Sequence, residues 1–242
     1  NFLEKNEKLN LLTKKELSYL RNQSNRYFLQ SFEIVKEAIN VDRILKKNNL
    51  TPVFLKGVAL LGEYDNFTLR QAVDIDILLS RDQAFKAYKI LKKNGYYEYR
   101  SEYKKIGDLE NFFDKNLHLP ELCRDSKIMI EIHHRVTRKI DFENCPLSNK
   151  LIKNKESYDF FGKKLFRPSK NDLISHLLLN FALNDCFDNS LRIFSDIHTL
   201  EKKFAINWKS LYNENKNKKI RRAISLSLEI LNFDFNLTNG FK

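Results

Sequence analysis

The chain has 242 residues, 42% of them hydrophobic and 31% charged, with a formal net charge of +12. That length gives one large domain or two small ones with material for a core, and no apolar run approaches the roughly 18 residues that a membrane span needs. The excess charge is enriched at the ends: residues 1–50 hold 10 basic and 6 acidic side chains, residues 201–242 hold 9 and 4, and residues 51–200 hold 24 and 21. Such an excess suits a polyanionic partner such as RNA, and it equally reflects a Lys- and Asn-rich composition. The polar start Asn-Phe-Leu-Glu-Lys-Asn reads as no signal peptide. Cys123, Cys145 and Cys186 are odd in number and far apart, which suits a reducing, cytoplasmic setting better than a disulfide framework or a zinc site.

In chain order, Thr13-Lys14-Lys15-Glu16 has the pattern of a capping box, and Phe28, Phe32, Val35 and Ile39 follow at helical spacing, so residues 13–48 read as helix. Pro52-Val53-Phe54-Leu55 is a short strand, and Gly57 opens a short helix through Leu61. Residues 72–79 form the next strand. Ser80-Arg81-Asp82-Gln83 then caps a helix carrying Phe85, Tyr88 and Leu91, which stops at Asn94-Gly95. Residues 96–135 read as β-rich, with strands from Tyr96 to Tyr103, around Phe112 to Leu119 and from Lys127 to Val136. After residue 141 come a short helix, a β-ribbon near Tyr158 to Phe166, and helices over 170–184, 189–204, 207–217 and 219–231. Leu173, Leu177 and Phe181 mark one buried stripe there, and Leu191, Phe194 and His198 another. Residues 234–242 read as a frayed tail.

The chemistry concentrates in Val73-Asp74-Ile75-Asp76-Ile77-Leu78-Leu79. Alternation puts both carboxylates on one face of the strand, roughly 7 Å apart. At an effective dielectric of about 20 they repel by about 2 kcal/mol, so that face meets either water or a cation. Ile128-Met129-Ile130-Glu131-Ile132-His133 repeats the pattern. If the two strands are neighbours with the same face buried, Glu131 approaches Asp74 and Asp76, and three carboxylates then suit a two-metal site. Lys56-Gly57, where a strand turns into a helix, and Arg70, four residues before Asp74, supply a close backbone approach and two cations for phosphates.

Leu55-Lys56-Gly57, Tyr64, Arg70, Asp74-Ile75-Asp76, Gly95-Tyr96 and Ile130-Glu131-Ile132-His133 together resemble the uncharacterised nucleotidyltransferase family of the DNA polymerase β superfamily. Leu191-Arg192, Ser195-Asp196-Ile197 and Trp208 resemble that family's helical C-terminal segment. The resemblance implies an α+β fold: a nucleotidyltransferase-type mixed β-sheet flanked by helices, followed by a helical C-terminal domain. On that reading residues 1–50 are an N-terminal helical segment, 51–140 the catalytic core, and 141–242 a connecting segment and mainly helical domain. It further implies that Asp74, Asp76 and Glu131 are catalytic and hold two Mg²⁺ or Mn²⁺ ions, and that Lys56, Gly57 and Arg70 bind the phosphates of a nucleoside triphosphate such as ATP. The wider superfamily usually carries Gly-Ser where this chain has Lys56-Gly57.

Other residues have two readings each. His133 shares the face of Glu131 as a ligand or as an orienting or packing residue, His134 points away as a structural residue, and His118 sits on a strand between the two acid strands. Tyr64 packs behind the phosphate loop. Arg192 and Asp196 are four apart on a helix, which makes a surface ion pair, unless Arg192 faces the cleft. The basic run Lys216-Asn217-Lys218-Lys219-Ile220-Arg221-Arg222 is a polyanion contact or a solvated helix junction. The leading function is transfer of a nucleoside monophosphate to an acceptor hydroxyl on a protein or peptide, a small molecule or RNA, with release of pyrophosphate. The alternatives are a non-catalytic nucleotide- or partner-binding module and a metal-dependent triphosphate hydrolase. No membrane partner is expected.

Overall fold

The computed structural model describes residues 11–100, 102, 108–125, 128–137, 146–188 and 190–235. The capping box forms as its residues predict. Thr13 Oγ1 accepts from the Glu16 amide at 3.2 Å and Glu16 Oε2 accepts from the Thr13 amide at 2.8 Å, opening helix α1 (Lys14–Lys46). The buried stripe of α1 begins later than the sequence predicts. Ile34, Val35, Ala38, Val41 and Leu45 are buried, whereas Phe28 and Phe32 are 48% and 56% exposed. Phe28 stays half exposed and packs its ring near that of Phe67, at 5.8 Å between centroids.

Five strands make a mixed sheet in the order β1 (Val53–Phe54), β2 (Asp74–Leu78), β5 (Met129–His133), β4 (Leu122–Cys123), β3 (Tyr97–Glu98). β2 and β5 run parallel with Asp76 opposite Glu131, and the other pairs are antiparallel. One face of this central pair is apolar: Ile75, Ile77, Ile130 and Ile132 are buried in a core with α1 and with helix α3 (Arg81–Lys93). Alternation then sends Asp74, Asp76, Glu131 and His133 to the other face. Between β1 and β2 lies the six-residue helix α2 (Lys56–Leu61). Val73 lies just before β2 and is 37% exposed, so the apolar stripe of the strand starts at Ile75.

The strand predicted around Phe112 to Leu119 is mostly helix. Asp108 Oδ1 accepts from the Asn111 amide at 3.0 Å and caps α4 (Leu109–Lys115), whose Phe113 is fully buried with its ring 4.6 Å from that of Phe85. A side-chain cap and one aromatic anchor outweigh the apolar run that suggested a strand. Only His118 keeps a β contact, a single bridge to His133. The strand expected from Tyr96 to Tyr103 is shorter, spanning Tyr97–Glu98, and its far end at Tyr103 lies outside the described residues, as do Lys127, Cys145 and the end of the tail. Cys123 and Cys186 are free thiols.

The later part follows its predicted order: α5 (Pro146–Lys153), a ribbon of β6 (Lys155–Phe160) and β7 (Lys163–Pro168), then α6 (Lys170–Leu179), a π-helical turn over Asn180–Asn184, α7 (Ser190–Lys203), α8 (Trp208–Asn213) and α9 (Lys218–Phe235). Leu173, Leu177 and Phe181 are buried in a second core, as their spacing predicts. The stripe predicted on α7 is rotated. Leu191 is 78% exposed and His198 is exposed, and the buried face is Ile193, Phe194, Ile197 and Leu200. That turn of the helix brings Asp196 inward, where it is only 2% exposed. No described helix is long and apolar enough to cross a membrane.

Candidate active site

Because β2 and β5 are parallel and in register, Asp76 and Glu131 stand side by side, with His133 one step further along the same face. His133 Nε2 lies 2.9 Å from Asp76 Oδ1 and 3.0 Å from Glu131 Oε2. Lys56 Nζ donates to the same Asp76 oxygen at 2.6 Å. Asp76 is 1% exposed, which excludes a solvated face for this residue. Its counter-charges are Lys56 and His133. Burial opposes both ionised forms, but Lys56 and then His133 hold the Asp76 carboxyl well below the usual range, and hydrogen bonds to Asp76 and Glu131 carry His133 up to about 9. Against the same burial, the hydrogen bond from His133 keeps Glu131 below its ordinary value.

Two acids and two cations make that cluster neutral, and Asp74 is one acid too many. Burial, and then the charge of Asp76, push the Asp74 carboxyl up to about 7. Asp76 Oδ2 is buried with no hydrogen-bond partner among the described residues. Asp76, Glu131 and His133 each offer a ligand atom within 4.8 Å of the others. Asp76 and Glu131 could hold a divalent cation here, which would take the place of the His133 proton between them and give Asp76 Oδ2 a partner. Two of the three donor residues offer carboxylate oxygens, the ligand type of hard divalent cations.

The turn beside the acids is built from unusual backbone. Lys56, a non-glycine residue, has φ +40°, a left-handed conformation costing roughly 1–2 kcal/mol. Gly57 is required by a neighbour in the chain's own fold: a Cβ there would stand 2.9 Å from Ala72 Cβ and 3.0 Å from Arg70 Nη1. Arg70 is 7% exposed and donates Nε to Asp196 Oδ1 at 3.1 Å and Nη2 to Asp196 Oδ2 at 3.0 Å. Tyr64 donates its hydroxyl to Asp196 Oδ1 at 2.7 Å. The surface pair predicted between Arg192 and Asp196 is therefore replaced, because Arg70 and Tyr64 hold the acid inside. Tyr64 is a hydrogen-bonding member of this brace as well as a packing residue.

Lys56, Gly57, Arg70 and Asp74 line one cavity of about 220 Å³ together with Arg192 from α7. Of the two readings of Arg192, the structure bears out the one that faces the cleft. Arg70 reaches the same cavity with its guanidinium already bound by Asp196. His118 does come to the site. Its Nδ1 lies 2.7 Å from the Leu119 carbonyl oxygen, so Nδ1 carries the donated proton, and Nε2 lies 3.8 Å from Glu131 Oε2. His134 turns away, its ring 3.7 Å from that of Phe113. Lys218 and Lys219 open α9 and are exposed, which fits both readings of the basic run.

Sequence reasoning missed His176, Asn180 and Asn184, which line a second, smaller cavity beside Glu131 and His133. The available signal was their spacing of four residues, a polar row on one face of an otherwise apolar helix.

Among known families, the chain matches the one described as uncharacterised nucleotidyltransferase over residues 2–234. The chain belongs to that family and is an enzyme of that class. No curated protein matches it.

Proposed function

We propose that the chain is a Mg²⁺- or Mn²⁺-dependent enzyme that moves a nucleoside monophosphate from a nucleoside triphosphate, ATP among them, to an acceptor hydroxyl and releases pyrophosphate. Asp74, Asp76 and Glu131 are the proposed metal-holding acids, and the observation that carries the reading is the surplus negative charge they bring to one buried face. A divalent cation held there neutralises phosphate charge and polarises the reacting phosphorus. The triphosphate lies in the larger cavity, where Lys56 and Arg192 face it from two sides. Lys56 rests on Asp76 and is near enough to serve the phosphates once Asp76 has another cation. Arg70 acts through others: it fills the space that Gly57 leaves open and fastens the helical half through Asp196. His133 orients Asp76 and Glu131 with one ring nitrogen. Glu131 is left to accept the proton of the acceptor hydroxyl.

The acceptor hydroxyl belongs to a protein or peptide, a small molecule or RNA. The test is incubation with each nucleoside triphosphate labelled at the α-phosphate, with Mg²⁺ or Mn²⁺, alone and with cell extract. Labelled acceptor and free pyrophosphate support transfer. Labelled monophosphate with no labelled acceptor shows hydrolysis by the same acids, and no metal-dependent turnover of any triphosphate overturns the proposal.

A further inference from the structure

The smaller cavity holds about 110 Å³ behind Lys56. His118, Glu131 and His133 line it from the sheet, and His176, Asn180 and Asn184 from the helical half. Lys56 borders both cavities, whereas Asp74 borders only the larger and Glu131 only the smaller. The two cavities share Lys56, Asn180 and Asp185, and so adjoin at the lysine that pairs with Asp76.

The wall of the smaller cavity is rich in unused hydrogen-bonding capacity. Among the described residues His133 Nδ1, both ring nitrogens of His176 and Asn184 Oδ1 are buried without a partner. His176 is 3% exposed. Buried polar atoms in folded proteins are almost always paired, and several of them converging on one cavity mark a place built for a polar occupant. A neutral imidazole offers one donor and one acceptor, and an amide oxygen accepts. That set matches a hydroxyl group, which both donates and accepts. The smaller cavity is half the volume of the larger, and its lining among the described residues carries no Phe, Tyr or Trp for a nucleobase to stack on.

We infer that the smaller cavity seats the acceptor, and that the acceptor is a compact hydroxyl-bearing group, either a small polar molecule or a hydroxylated side chain, rather than an RNA 3′ end. This rests on the nucleotidyltransferase reading above. The acceptor oxygen bonds to the α-phosphorus and the bond from that phosphorus to the α,β-bridging oxygen breaks. Pyrophosphate leaves with the electron pair, and the hydroxyl proton passes to Glu131 and on to water.

The experiment offers the full chain ATP labelled at the α-phosphate, Mg²⁺, and in separate reactions glycerol, L-serine, L-threonine, a serine-containing peptide and a short RNA with a free 3′ hydroxyl. Label is expected on a free compound or on the peptide side chain, which separates the two sources of the same chemistry. His176→Phe, which fills the cavity, is expected to cut that transfer by roughly tenfold or more with the Kd for Mg·ATP unchanged. His118→Ala, at a partly exposed position, opens the cavity and is expected to raise KM for the acceptor and leave KM for ATP alone, which keeps the test decisive should the buried substitution unfold the chain. Labelling of the RNA overturns the inference. So does a protein that binds Mg·ATP and labels none of the small hydroxyls, and so do two folded variants that transfer like the wild type. Absence of metal-dependent ATP binding in the wild type is the distinct failure of the underlying reading.

Discussion

Two buried ionic clusters lie along the same cleft, and they are finished to different degrees. In the Arg70–Asp196 brace both carboxylate oxygens accept from one guanidinium, at 3.1 and 3.0 Å, and Tyr64 adds a third hydrogen bond. In the Asp76 cluster one carboxylate oxygen takes both Lys56 and His133 while the other has no partner among the described residues, and Asp74 beside it is pushed up to about 7 by burial and then by Asp76. A saturated pair holds two parts of the chain together. The Asp76 cluster keeps one buried carboxylate oxygen unpartnered among the described residues, and the proposed function rests on a cation completing it.

The largest expected effect breaks the structural cluster. Asp196→Ala strands a buried guanidinium and is expected to destabilise the fold by about 3–5 kcal/mol, read as a lower denaturant midpoint at unchanged slope. A wild-type midpoint would mean that the brace is ornamental and that the contrast between the clusters does not hold. Gly57→Ala probes the seam between them. Its new Cβ meets Ala72 Cβ at 2.9 Å and Arg70 Nη1 at 3.0 Å, so a loss of about 1–3 kcal/mol is expected by thermal or chemical unfolding.

A smaller effect comes from acid. Burial pushes His176 down from 6.5 to about 3. The unfolded chain therefore binds a proton at His176 before the folded chain does, and stability falls as pH drops below 6.5. The stability lost between pH 7 and 5.5 through this residue is about 1 kcal/mol. His176→Phe is expected to lose less than the wild type over that interval in denaturant titrations at the two values. An equal loss would place the acid sensitivity elsewhere.

The acids were legible in the sequence because their signal is local. Asp74 and Asp76 alternate with Ile75 and Ile77, and Glu131 with Ile130 and Ile132, so the face of each residue follows from a period of two. The pairing of those strands puts Asp76 beside Glu131, as the shared pattern suggested. What was not legible depends on contacts far apart in the chain. Nothing near Arg70 announces that Asp196, 126 residues later, will take its guanidinium. Asp196 shares the inward face of α7 with Ile193, Phe194, Ile197 and Leu200, while Leu191 and His198 turn outward against their apparent stripe. The helix α4 was missed because one capping aspartate outweighed a β-rich composition. His176, Asn180 and Asn184 acquire meaning only when α6 and its π-helical turn are set against β5.

The central claim is that the Asp76 cluster with Asp74 is completed by a divalent cation. The most direct measurement is the thermal shift produced by Mg²⁺ or Mn²⁺ in wild type and in Asp74→Asn, alongside transfer from labelled ATP. A ligand that binds only the folded state raises its melting temperature with concentration. The account predicts such a rise for the wild type. In Asp74→Asn it predicts a metal-free protein at least as stable at pH 8, because an amide removes the repelled charge. The same variant should show little or no rise with metal and a transfer rate lower by about a hundredfold or more, the scale of losing one strong transition-state contact. An Asp74→Asn protein that responds to metal and turns over like the wild type would contradict it.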